Sequence, residues 1–77
     1  MEIKKGERYY LVCASPSGYI VCEGVFVINN IEFDDGVPRY IFTDRGGMLR
    51  YVSPEDPKLP FDKIRKLTKL DKALYEE

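Results

Sequence analysis

The chain has 77 residues, a formal net charge of −1 and a pI near 5.5. This length suits one small domain, and we expect residues 1–77 to share a single core. Hydrophobic residues make up 44% and aromatic residues 13%, which excludes a disordered, charge-dominated chain. The balanced charge also excludes a strong positive field over the whole surface.

The sequence predicts a cytoplasmic protein. No apolar run approaches the roughly 18 residues of a membrane span, and no signal-peptide pattern follows the first residues. Cys13 and Cys22 are the two cysteines, and they flank a predicted turn. In a reducing compartment we expect free thiols that pack as small hydrophobic groups. A disulfide across a hairpin is the alternative.

The first half of the chain predicts two strands. Residues 7–14 have high β-propensity, and Ser-Pro-Ser-Gly at 15–18 forms a turn. The second strand starts at Tyr19 and runs to about Asn29 or Phe33. Gly24 in its middle predicts a bulge or bend. Both faces of this strand are apolar, which is typical of a bent strand shared between two halves of a curled sheet.

Two further strands follow in chain order. Asp34-Asp35-Gly36 has the sequence of a tight hairpin turn. Residues 39–44 then predict a third strand, residues 45–47 a turn, and residues 48–53 a fourth strand. Strands joined by such short turns form a meander that must curl to protect its edges.

The C-terminal part predicts a short helix. Three prolines within residues 54–60 exclude a helix there. We expect a turn or strand through Ile64 and a helix at about residues 69–76, because Thr68 and Asp71 resemble a capping box. Leu67, Leu70 and Leu74 would form its apolar stripe.

Two segments resemble known proteins. Leu-Pro-Phe-Asp-Lys-Ile at 59–64 and Leu-Thr-Lys-Leu-Asp-Lys-Ala-Leu at 67–74 resemble the C-terminal segments of small phage and prophage proteins. Residues 5–12 look like the first strand of SH3-like small barrels. The resemblance implies a small-barrel fold and an origin in a mobile element, and it implies no activity. A phage-encoded protein would act in the host cytoplasm.

We therefore predict a mainly β fold, an SH3-like small barrel of four or five antiparallel strands with one short C-terminal helix. The barrel would span about residues 3–60, and the turn and helix about residues 61–77. The helix would pack on the open end of the barrel through its leucines. An open meander covered by the helix is the alternative. The expected core contains Phe26, Ile28, Ile41 or Phe42, and Leu70.

Little in the sequence points to catalysis. The chain has no histidine, so the commonest general base and metal ligand are missing, and two cysteines fall short of a zinc site. The acids of residues 34–35 and 55–56 sit in turns, where solvated carboxylates are the norm. We predict no enzyme activity, no cofactor and no metal. Gly46-Gly47 could present backbone amides to an anion, although a plain turn needs the same residues.

Six tyrosines are a large share for this length. Tyrosine favours half-buried strands, and it is also enriched at protein interfaces. We predict a partner-binding surface that uses exposed tyrosines and the arginine beside the glycine turn. Its candidate residues are Tyr9, Tyr19, Tyr40, Tyr51 and Arg45.

The C-terminal part also carries the main basic stretch of the chain. Lys63, Arg65, Lys66 and Lys69 lie close together in sequence and are the candidate contacts to nucleic acid. A solvated helix face would have the same composition.

Three functions remain open at this stage. The first is a phage-type protein-interaction module that inhibits a host defence enzyme, as anti-CRISPR proteins do. The second is a small barrel that binds nucleic acid through the basic stretch. The third is a protein that sequesters a small anionic ligand such as a nucleotide, with oligomerisation building the pocket.

Overall fold

The computed structural model describes residues 2–75, which form six β-strands and one α-helix. The elements are β1 (Arg8–Ala14), β2 (Ile20–Val27), β3 (Asn30–Asp34), β4 (Val37–Thr43), β5 (Leu49–Val52), β6 (Lys63–Arg65) and α1 (Lys69–Tyr75). This confirms the predicted class, a mainly β fold with one short C-terminal helix. The predicted helix end at Glu76 lies outside the described residues.

The strands form two antiparallel three-stranded sheets, in the orders β2-β1-β6 and β3-β4-β5. Within residues 2–75 no strand ladder joins the two sheets, so the expected barrel is not closed. The chain passes from one sheet to the other between β2 and β3. There the backbone N–H of Asn29 donates to the Ile41 carbonyl at 2.7 Å. The predicted bent strand is therefore two strands, and the bend lies at residues 28–29.

The bulge predicted at Gly24 is wrong. Gly24 pairs with Leu11 in an uninterrupted stretch of ladder, and the register shifts between Cys13 and Ala14 instead. Gly24 has a φ of 148°, a conformation that residues with a Cβ rarely adopt. An added Cβ would lie 2.6 Å from Nη2 of Arg45. The glycine therefore allows the close approach of an arginine rather than a bulge.

The core lies between the two sheets. Its buried hydrophobic residues are Tyr9, Leu11, Ala14, Phe26, Ile28, Phe42 and Val52. The rings of Phe26 and Phe42, one from each sheet, have centroids 4.8 Å apart. The predicted core positions Phe26 and Ile28 are thus confirmed. Of the alternatives Ile41 and Phe42, Phe42 is the buried one, and Leu70 as a core residue is wrong. Alternation places Tyr9 and Leu11 of β1, Phe26 of β2, Phe42 of β4 and Val52 of β5 on the inner face of each sheet. Ala14 follows the register shift in β1, and Ile28 follows β2.

The helix does not cover the sheets with its leucines, contrary to the prediction. Leu70 and Leu74 are each 67% exposed, while Asp71 on the same helix is buried. The predicted capping box at Thr68 is confirmed, because the Asp71 N–H donates to the Thr68 hydroxyl at 3.1 Å. Asp71 also pairs with Arg65 of β6. This polar anchor turns the acidic side of α1 inward and leaves the Leu70–Leu74 stripe in solvent.

We expect Asp71 to make the helix anchor sensitive to acid. The Arg65 guanidinium and the Thr68 N–H, which donates at 2.8 Å, hold the pKa of Asp71 far below its usual value. Since the folded pKa is the lower one, the carboxylate stabilises the anchor fully above its unfolded pKa near 4. This stabilisation is lost as the pH falls from there toward the folded pKa.

The measurement is an NMR titration of the Thr68 amide proton from pH 6 to pH 2. We expect its carboxylate-linked shift to begin only below about pH 3. In the control variant Asp71→Asn that shift should vanish. A midpoint at pH 4 or above in the parent would contradict the anchor.

Candidate functional site

The structure separates the residues predicted to form a partner surface. Tyr9 is wrong as a contact residue, because its side chain is only 2% exposed and belongs to the core. The hydroxyl of Tyr9 accepts the Lys4 N–H at 2.8 Å and donates to the Glu7 carboxylate. Odd-numbered positions of β1 point inward, so the ring fills the interior and only the hydroxyl reaches the edge.

The other candidates lie in different places. Tyr19 follows the β1–β2 turn and is 73% exposed. Tyr40 lies on the inner face of β4, half-buried against the core, and burial raises the pKa of its phenol. Tyr51 lies on the outer face of β5. Arg45 lies over the Phe26 ring, with its guanidinium carbon 5.1 Å from the ring centroid, and closes one end of the core. Of the four candidate tyrosines, Tyr19 and Tyr51 have side chains exposed to a partner.

A cleft separates the end of β1 from β5, where the sheets would meet in a closed barrel. Its volume is about 310 Å³. The lining residues are Cys13, Ala14, Ser15, Pro16, Leu49, Arg50, Tyr51, Leu59 and Asp62. The Cys13 thiol donates to the Tyr51 carbonyl across the cleft at 3.6 Å. The cleft therefore combines apolar side chains of both sheets, such as Ala14 and Leu49, with the polar side chains of Arg50 and Asp62.

Asp62 links the two sheets at the base of this cleft. Its carboxylate is buried, with Oδ1 accepting the Ala14 N–H at 2.9 Å and Oδ2 accepting the Ser53 N–H at 3.0 Å. Ala14 ends β1, and Ser53 directly follows β5. One carboxylate thus replaces the ladder that is missing between the sheets. The sequence analysis included Asp62 only in the Leu-Pro-Phe-Asp-Lys-Ile segment at 59–64 and missed this role. The sequence signal that could have indicated this role is an acidic residue between Phe61 and the turn or strand expected through Ile64.

An apolar rim lies on the β5 side of the cleft, formed by Leu49 and Tyr51, which line the cleft, and by Met48, which directly precedes β5. Leu49 is 72% exposed, and the other two side chains are also open to solvent. Arg39 of β4 lies over the Tyr51 ring, 4.8 Å from its centroid, and pairs with Asp34 of β3. The side chains of Asp34, Arg39 and Tyr51 thus form a row across the outer face of the second sheet, in which Arg39 contacts the Tyr51 ring. The apolar rim therefore presents an aromatic ring in contact with an arginine beside two exposed apolar side chains.

The two cysteines face each other across β1 and β2, as Cys13 and Cys22 are ladder partners. Both are free thiols in the structure, as the sequence predicts. Burial raises the pKa of both, helped by Asp62 at Cys13 and by Asp44 at Cys22. The nearby arginines oppose this effect and do not overcome it. At neutral pH the thiols are protonated, which makes them weak nucleophiles.

The glycine turn does not offer its amides to an anion. Asp44 accepts the N–H groups of Gly46 and Met48 on Oδ1, each at 2.9 Å. The Gly47 N–H donates to the Asp44 carbonyl at 3.0 Å. Arg50 pairs with the same carboxylate and, together with these amides, lowers its pKa. The amides that a small anion would need are thus engaged within the turn.

The basic residues of the C-terminal part lie along β6 and the segment after it. Lys63 and Arg65 point to the outer face of the first sheet, beside their ladder partners Val12 and Tyr10. The Arg65 guanidinium carbon lies 4.2 Å from the Tyr10 ring centroid. Lys66 follows β6, and Lys69 opens the helix. Lys63 and Arg65 therefore form one basic edge. Lys66 follows at its end, in a separate pocket that Glu7 also lines, and Lys69 lies farther along the chain.

Comparison with known proteins finds no matching family model, no similar curated protein and no similar solved structure. The resemblance to phage proteins thus stays a prediction from the C-terminal motifs. Within residues 2–75, no helix has the length and apolar character needed to cross a membrane. The same residues contain no cluster of three or more side chains suited to hold a metal ion.

Proposed function

We propose that the protein is a binding module that recognises a protein partner through the apolar rim, Met48, Leu49 and Tyr51. The observation that carries this proposal is the exposure of these three large apolar side chains within four residues of one strand and its turn. Large contiguous apolar surface on a small domain is typical of an interaction site.

The arrangement of the rim favours a folded protein over a small ligand. Tyrosine and arginine dominate binding energy at protein interfaces, and the Arg39–Tyr51 pair places both in one ordered contact. Little side-chain entropy is then lost when a partner covers the ring. The cleft of about 310 Å³ next to Leu49 offers space for an apolar side chain of the partner. The engaged amides of the glycine turn leave the small-anion hypothesis without a site there.

The finer proposal concerns the partner. The resemblance to phage proteins supports action in the host cytoplasm. By analogy with anti-CRISPR proteins alone, we propose that the module blocks a host defence enzyme, and CRISPR nucleases are the first to assay. Occlusion of a surface on that enzyme would be sufficient, so the proposal requires no catalytic group. Protonated, half-buried thiols and carboxylates engaged in turns are in keeping with a non-enzymatic module.

The test compares four immobilised proteins: the parent, Leu49→Asp, Tyr51→Ala and the control Phe33→Ala. Phe33 is an exposed aromatic residue of β3 outside the rim. Nuclease-treated bacterial lysate is passed over each, and bound proteins are quantified by mass spectrometry. We expect at least one protein to bind the parent and the control and to be lost with Leu49→Asp.

Affinity for that partner is then measured in solution. Tyr51→Ala should weaken binding by about 2 kcal/mol or more, roughly 30-fold, and Phe33→Ala by less than about twofold. Captured proteins that bind all four immobilised forms equally would show that the rim is not the contact surface.

A further inference from the structure

A second surface, on the opposite sheet, combines aromatic rings with cationic side chains. The geometry points to a binding site for single-stranded nucleic acid along β6, formed by Tyr10, Phe61, Lys63, Arg65 and Lys66. We call this set the β6 strip. It lies outside the apolar rim and shares no residue with it, so this inference does not depend on the proposed protein partner.

The cationic part of the strip is available to phosphates. Among residues 2–75, no ion pair engages Lys63 or Lys66, and both side chains are exposed. Arg65 is held by Asp71, so it contributes a fixed guanidinium plane rather than a mobile charge. The acids near the strip each accept hydrogen bonds from the protein: Asp62 from buried backbone amides, Asp71 from Arg65, Glu23 of β2 from the Tyr10 hydroxyl, and Glu7, beside Lys66, from the Tyr9 hydroxyl. The two side chains that β6 itself presents on the outer face, Lys63 and Arg65, are therefore both cationic, with Glu23 of β2 as an acidic neighbour on the same face.

Planar side-chain groups on which bases can stack lie on both sides of Lys63. The Tyr10 ring and the Arg65 guanidinium form one stacked pair at 4.2 Å. The Phe61 ring is 47% exposed and packs against Gly18, where an added Cβ would lie 3.4 Å from the ring. Bases of single strands stack on aromatic rings and on guanidinium planes.

Two shallow pockets connect these surfaces. One of about 330 Å³ is lined by Tyr10, Val12, Lys63 and Arg65 among others, and one of about 210 Å³ by Val12, Lys63 and Phe61 among others. They adjoin at Val12 and Lys63, with apolar floors and cationic rims. Along β1 the strip spans about 13 Å, the length of four strand residues. That length suits a few successive nucleotides in an extended strand.

Paired nucleic acid fits this surface poorly. Bases within a duplex are stacked on one another and cannot lie on side-chain rings. The small number of free lysines also gives a duplex few phosphate contacts. A polyanion without bases would use the lysines and leave the rings unused. These differences allow the occupant to be identified by experiment.

The test uses fluorescence anisotropy with labelled oligo(dT)15 and oligo(rU)15 at 50–200 mM salt. The double variant Lys63→Gln/Lys66→Gln is compared with the charge-matched control Lys4→Gln/Lys5→Gln, whose lysines are exposed near the N-terminus. We expect the first to weaken binding at least tenfold at 50 mM salt and the control less than threefold. The slope of log affinity against log salt should fall by about 1.4 in the first variant.

Phe61→Ala separates stacking from charge. It should weaken binding roughly 5- to 100-fold with an unchanged salt slope, because base stacking is lost while the lysines remain. A thermal melt of each variant checks that it is folded. Leu49→Asp should bind the oligonucleotides like the parent, so a failure of the strip and a failure of the rim are distinguishable.

Three results would each overturn the inference. The first is the absence of binding to both oligonucleotides at 100 µM protein and 50 mM salt. The second is equal loss in the two lysine double variants. The third is equal affinity for a 15-base-pair duplex or for inorganic polyphosphate, with no effect of Phe61→Ala, which would indicate adsorption of any polyanion.

Discussion

Replacing Phe42 by alanine is expected to destabilise the protein by about 3–5 kcal/mol. The ring is fully buried between the sheets and contacts Phe26 with a centroid separation of 4.8 Å. Its removal exposes apolar partners and leaves a cavity that two separate sheets cannot fill without moving. Small domains have total stabilities of roughly 5–15 kcal/mol, so this change removes a large part of the total.

Urea unfolding followed by circular dichroism measures this effect, and Phe33→Ala is the matched control. Both residues are phenylalanines of the second sheet, but Phe33 is exposed near the β3–β4 turn. The control should change the free energy of unfolding by less than about 1 kcal/mol, as is usual for surface positions. If Phe42→Ala unfolds at the same urea concentration as the control, the assigned core is wrong.

Replacing Asp62 by alanine is expected to destabilise the protein by about 2–6 kcal/mol. The substitution leaves the buried N–H groups of Ala14 and Ser53 without acceptors, and each such group costs about 1–3 kcal/mol. Asp62→Asn keeps the shape and one acceptor oxygen, so a smaller loss is expected. The order of stability should be parent, then Asp62→Asn, then Asp62→Ala.

The control for Asp62 is Glu55→Gln, which removes a carboxylate charge from an exposed position in the proline-rich segment. Its free energy of unfolding should stay within about 0.5 kcal/mol of the parent. Hydrogen exchange at Ala14 and Ser53 gives a second measurement, because both amides should exchange faster in Asp62→Ala. Unchanged exchange at both amides would contradict the link between the sheets.

Local patterns in the sequence predicted the elements that depend on neighbouring residues. The turn at Asp34–Gly36 was predicted because adjacent positions need positive φ, and Asp35 and Gly36 have φ values of 53° and 79°. The capping box at Thr68 was also predictable, because it depends only on two residues three positions apart. Strand patterns also identified Phe26 and Ile28 as core positions, whereas the choice between Ile41 and Phe42 needed the structure.

Positions that depend on distant segments were not predictable in this way. The sequence indicated six tyrosines suited to strands, but the inward direction of Tyr9 depends on its pairing with Phe26 of β2. The exposure of Leu70 was missed because an apolar spacing does not show which side of a helix faces the protein. The ion pair of Asp71 with Arg65, a residue of β6, decided that orientation.

The sequence by itself determined the mainly β class, the hairpin turns, the short capped helix and the absence of a histidine. These follow from the conformations and chemistry of single residues and of their immediate neighbours. Only the tertiary structure decided where β6 pairs, because its ladder with β1 joins residues more than 50 positions apart. That pairing brings Lys63 and Arg65 beside Tyr10, and it places Asp62 between the sheets. The β6 strip thus depends on contacts that no local pattern encodes.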